Sequence, residues 1–146
     1  MRHNKILSAA IALCVIAFFT MGSVPSASAF PPTPVPVTIT ATFDFSNFPN
    51  VSGTFTTTGA LTISGASFMH VDLNPFNGVR AHCVVTLFPS TGGTIIIDQQ
   101  CQFASSPPKG RWEIVSGTGA YANLNGNGSL TMPPETEAMT GFIYLH

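Results

Sequence analysis

An all-β fold, an antiparallel β-barrel of about eight strands with a β-sandwich as the alternative, is what this 146-residue sequence predicts. Three observations carry that expectation. From Val37 to Phe45 apolar and polar residues alternate strictly. Later runs rich in β-branched and aromatic residues recur along the chain, each bounded by Gly, Pro, Asn or Ser. Nowhere do apolar residues repeat at the three-and-four spacing of a helix over a helix's length.

The chain opens with an export signal rather than with the barrel. Arg2 and Lys5 precede an apolar run from Ile6 to Met21, and small residues follow up to Ala27-Ser28-Ala29. The run is shorter than the roughly 20 residues of a spanning helix, and small side chains three and one residues before a cut suit signal peptidase. We therefore expect residues 1–29 to form a helical signal peptide, cut between Ala29 and Phe30, with a cut after Ala27 as the alternative. The mature protein is then secreted, periplasmic or at the cell surface, with no membrane association after cleavage.

Phe30 to Pro36 holds four prolines and reads as an extended leader over residues 30–36. The barrel domain spans 37–146. Its first strand is the clearest: Val37, Ile39, Ala41, Phe43 and Phe45 on one face, Thr38, Thr40, Thr42 and Asp44 on the other. Further strands are expected near 53–58, 60–64, 67–73, 79–88, 94–103, 111–116, 127–132 and 138–145. Ser46, Asn47, Pro49 and Asn50 signal one loop; Asn74, Pro75, Asn77 and Gly78 signal another.

Thr91-Gly92-Gly93 is the best hairpin turn, with Gly93 suited to a left-handed conformation. A three-residue loop there sets Cys83 directly opposite Cys101, the two cysteines that remain after cleavage. Cys83, Val85 and Leu87 then share a face with Ile95, Ile97, Gln99 and Cys101. In an exported domain such a pair is expected to form a structural disulfide, stabilising by roughly 3 kcal/mol on a chain-entropy argument. Wide spacing speaks against a redox or metal role. Gln99 interrupts an apolar inward stripe, so it either meets water at the barrel mouth or orients a ligand. Tyr144 is a second candidate ligand contact.

Composition excludes one class of function. The mature chain keeps Arg80, Lys109 and Arg111 against six carboxylates, a formal charge of −3. Three cations cannot neutralise the phosphates that nucleic acid binding depends on. His70, His82 and His146 are scattered without metal-ligand spacing, so no metal and no cofactor is expected. Asp44, Asp72 and Asp98 fall on the more polar strand faces, with no partner evident to tune them as acids or bases. Asn50-Val51-Ser52 and Asn127-Gly128-Ser129 fit the glycosylation acceptor pattern.

The most distinctive segment runs Gly117-Thr118-Gly119-Ala120-Tyr121 and, four residues on, Gly126-Asn127-Gly128. A helix that would present the glycines to phosphate is ruled out by Asn125–Gly128. The glycines read as a tight structural corner anchored by Tyr121. This motif resembles the signature of the allene oxide cyclase-like and dirigent-like barrel superfamily, including its secreted bacterial members. The resemblance implies an eight-stranded antiparallel barrel, often a homo-oligomer, with an apolar lumen for a small hydrophobic ligand. In characterised relatives that lumen steers cyclisation or radical coupling without a cofactor. The acidic motif of dirigent proteins has no clear match around Asp44. Two functions are therefore expected: binding of a small apolar ligand or a structural extracellular role, and alternatively a cofactor-free cyclase, isomerase or coupling protein.

Overall fold

The structure, a computed structural model, describes residues 33–76, 78–134 and 136–144. The expected signal peptide, its cut, the first part of the Pro-rich leader, Asn77, Glu135 and His146 lie outside the described residues. Eight strands follow in chain order: β1 (Pro34–Asp44), β2 (Asn50–Gly59), β3 (Ser64–Leu73), β4 (Arg80–Pro89), β5 (Thr94–Gln102), β6 (Lys109–Thr118), β7 (Asn125–Thr131) and β8 (Thr136–Tyr144). Each pairs antiparallel with the next, and β8 returns to pair with β1, closing an up-and-down barrel. Closure removes both sheet edges. The barrel replaces the sandwich alternative.

Period-two alternation becomes an inside and an outside. Val37, Ile39, Ala41 and Phe43 of β1 are buried, as are Val85 and Leu87 of β4, Ile95 and Ile97 of β5, and Trp112 and Ile114 of β6. In β6 the alternation slips where Ile96 pairs with Ser116 but Ile97 with Ile114. The extra residue, Val115, is pushed outward and is 55 % exposed.

Two departures from the sequence reading lie at the start of β1 and in the segment after β2. Pro34 to Pro36, expected in the leader, already belong to β1, where they pair with Tyr144, Ile143 and Phe142. Prolines are accommodated at a strand's start, where few ladder donors are required. The strand expected near 60–64 is instead a loop that folds over one end of the barrel. Thr57 Oγ1 donates to Leu61 O at 2.6 Å and accepts from Ile63 N at 2.9 Å. Ala60, Leu61 and Ile63 are apolar because they pack on the core, not because they line a sheet.

That same end is sealed further by the Gly117–Gly128 segment. Tyr121 is buried, and its hydroxyl lies 2.8 Å from Thr91 Oγ1 in the β4–β5 turn. Gly93 (φ +82°) and Gly119 (φ +63°) hold left-handed conformations on either side of this contact. A Cβ on Gly93 would lie 2.5 Å from Thr118 O, so the two turns meet only because it is glycine. At the opposite end the connections β1–β2, β3–β4, β5–β6 and β7–β8 leave an opening.

Candidate functional site: the open mouth and its buried acid

Each of the four connections at the open end contributes to an apolar cavity of about 290 Å³. Phe45 and Phe48 come from the turn after β1, Gly78 from the one after β3, Phe103 from the one after β5, and Met132 from the one after β7. Met69, Val71, Leu73 and Cys83 complete the walls and floor from β3 and β4. Phe45 and Phe48 are each about half exposed, and Phe103 and Leu73 more than a third. Asp44 Oδ1 accepts from Ser46 N at 2.9 Å and turns the chain so that Phe45 stands at the rim. A rim of exposed aromatics around an apolar pocket suits entry of a small hydrophobic molecule.

Beneath the floor lies a polar cluster. Cys83 is the cross-strand partner of Gln99, which is fully buried. Gln99 Nε2 donates to Glu137 Oε1 and stands 3.3 Å from Met139 Sδ. Gln99 Oε1 faces the Cys101 thiol at 3.9 Å. Glu137 is only 2 % exposed, and its Oε2 has no partner. Burial lifts its carboxyl from the ordinary 4.5 to about 7, and the Gln99 donor only partly opposes this. Contact with Cys83, followed by burial, raises the Cys101 thiol above its ordinary range. The site therefore holds a carboxylic acid that is largely neutral below pH 7.

The expected site residues meet this geometry unevenly. Gln99 faces the lumen as expected, but it does not meet water at the mouth; it is sealed between Glu137, Met139 and Cys101. Tyr144 closes β8 at the far end, on the outer face with Phe142, and takes no part in the cavity. Cys83 and Cys101 share the inward face but are not opposite one another. Cys83 pairs with Gln99 and Cys101 with Ala81, a register two residues from the one expected, because the hairpin is centred on Thr91 rather than on Gly92, with Leu87 opposite Ile95. A two-residue slip keeps every side chain on its face, so the stripe survives while the cysteines become diagonal neighbours. Their sulfurs are 3.6 Å apart as free thiols, longer than the roughly 2.05 Å of a disulfide.

Gly117, Gly119, Tyr121, Gly126 and Gly128 are all in the corner at the closed end or in the adjoining β7. His82 Nε2 lies 2.6 Å from Asp98 Oδ2, and His70 Nδ1 lies 2.7 Å from Asn50 Oδ1, both on the outer wall. Among the described residues no group of three His, Cys, Asp or Glu side chains could hold a metal ion. Glu137 is the candidate site residue that sequence reasoning missed. The strand expected near 138–145 stops one residue short of Glu137, whereas β8 begins at Thr136. Extending the alternation back through Ile143, Gly141 and Met139 places it inside.

Fold and site together define a closed eight-stranded β-barrel with one sealed end, one apolar mouth and a buried acid between them. The chain matches no family model, no curated protein and no solved structure.

Proposed function

We propose that this protein binds a small, predominantly apolar molecule through the open end of its barrel. The observation that carries this reading is the cavity of about 290 Å³ walled by Phe45, Phe48, Met69, Val71, Phe103 and Met132. An eight-stranded barrel is just wide enough to hold one small ligand. The test is headspace partition of nonane over the purified barrel. Uptake should saturate at one molecule per chain, and Met132→Trp, which fills the mouth, should abolish it without changing the circular dichroism of the sheet. Absence of nonane uptake by the unmodified protein would remove the reading.

The second reading, a cofactor-free isomerase or cyclase, is favoured by one observation, the buried Glu137–Gln99 pair beneath that cavity. A neutral acid near pH 7 is suited to general acid chemistry. The likeness of the Gly117–Gly128 segment to cyclase-like and dirigent-like barrels supports the same family of functions. Export belongs to this proposal: the mature chain begins at Phe30 and acts outside the cytoplasm. There, oxidising conditions favour conversion of the touching Cys83 and Cys101 thiols to a disulfide, and the Cys83 sulfur then remains part of the cavity floor.

A further inference from the structure

The ligand-binding reading leaves open what kind of molecule the cavity selects, and the unpartnered oxygen of Glu137 bears on that. A buried oxygen without a partner is costly, on the order of 1–3 kcal/mol, and Glu137 Oε2 has no hydrogen-bond partner among the described residues, the Ser67 hydroxyl on β3 being likewise unpartnered. The strands packed around Glu137 present Ala41 and Phe43 from β1, Val51 and Phe55 from β2, Met69 and Val71 from β3, Trp112 from β6 and Leu130 from β7. The remaining titratable lumen groups among the described residues are Cys83, Cys101 and, at the sealed end, Tyr121. Arg80, Lys109, Arg111, Asp44, Asp72 and Glu113 are exposed, and Asp98 faces outward beside His82. No buried cation is there to hold a carboxylate.

The hydrogen bond to Gln99 orients the group. Oε1 accepts the Gln99 N–H, so the neutral carboxyl carries its proton on Oε2, an O–H donor that makes no hydrogen bond among the described residues. We propose that Oε2 of Glu137 is the polar anchor for the cavity's guest, which is therefore an apolar molecule bearing an uncharged oxygen acceptor, such as a ketone. This rests on the cavity being the binding site. The carboxyl is joined to the floor through Gln99, which pairs across the strands with Cys83 and stands 3.3 Å from Met139 Sδ, while Met69 and Met132 line the cavity itself. Such unbranched side chains rearrange readily around an entering group. An amine or other cation is not the guest, because the carboxyl is neutral over the lower pH range and offers a donor.

The experiment compares methyl heptyl ketone with nonane, a guest of similar shape lacking the oxygen, by headspace partition at about pH 5.5 and about pH 8.5, either side of the Glu137 titration. At the lower pH the ketone should bind about 5-fold or more tightly than nonane. That preference should fall as pH rises through about 7, while nonane uptake stays constant. Glu137→Gln keeps an acceptor toward Gln99 and an N–H donor toward the guest, so it should retain the preference and lose its pH dependence. Glu137→Leu should bind nonane and show no preference. A carbonyl stretch of a protonated acid in the infrared spectrum, absent from Glu137→Gln, reports the neutral state independently of any guest. Nonane uptake with equal ketone uptake in the unmodified protein overturns the anchor alone. Failure to take up either guest overturns both the anchor and the binding reading.

Discussion

Glu137 ties stability to pH as directly as it ties binding. Its carboxyl titrates near 7 in the folded barrel and near its ordinary 4.5 in the unfolded chain. Between those values the folded state holds a proton that the unfolded state has lost, so stability falls as pH rises through that window and then levels off. The loss from this group is on the order of 3 kcal/mol. Urea midpoints should thus decline between about pH 5 and about pH 8 in the unmodified protein, and Glu137→Gln should flatten that decline. Asp44, whose carboxyl is lowered by the Ser46 backbone N–H, is fully exposed and does not share this behaviour. None of this was visible from residue type, because the same glutamate in the turn after Pro134 would be an ordinary solvated charge.

At the scale of the element, β7 and β8 are shaped by a single side chain of the neighbouring strand β6. Trp112 of β6 points its indole N–H at Ser129 O (3.1 Å) and Thr140 O (3.3 Å). The ring fits because Gly128 and Gly141, cross-strand partners on β7 and β8, have no side chains. A Cβ on Gly128 would fall 2.0 Å from Thr140 O and 2.8 Å from Trp112 Nε1. Gly128→Ala should therefore destabilise the barrel by about 2 kcal/mol or more, whereas Ser129→Ala, on the exposed face of the same strand, should be nearly neutral. Equal urea midpoints for the two variants would contradict this account. The glycines of the motif were legible as structural. Their division of labour was not: Gly119 turns the chain at the sealed end, while Gly128 makes room for a tryptophan distant in sequence. The β4–β5 hairpin behaves similarly, since its faces followed from alternation but its register depended on the turn being centred on Thr91 rather than on Gly92.

The molecule as a whole is polarised, with one end packed shut by Leu61, Ile63, Tyr121 and Leu124 and the other opening onto phenylalanines. For an exported barrel the expected product is a chain beginning at Phe30, its two remaining cysteines joined. Intact mass of the protein recovered from outside the producing cells should match residues 30–146 less two hydrogens, and thiol labelling after denaturation without reductant should find nothing to modify. A chain beginning at Met1, or two labelled thiols, would count against export or oxidation respectively.

Alternation, turn residues and the absence of helical spacing were enough to determine the class of fold, the inward face of most strands and the inward direction of Gln99. These properties are local: each depends on neighbours one or two residues away, and period-two patterning reports them directly. What only the tertiary structure decided is long-range. Closure of β8 onto β1 fixed which end is open, set Glu137 of the last strand against Gln99 of the fifth, and drew phenylalanines from separate turns around one cavity. No pattern within a strand encodes those meetings, because they depend on summed register around the whole barrel, where a two-residue slip preserves every face yet changes every partner.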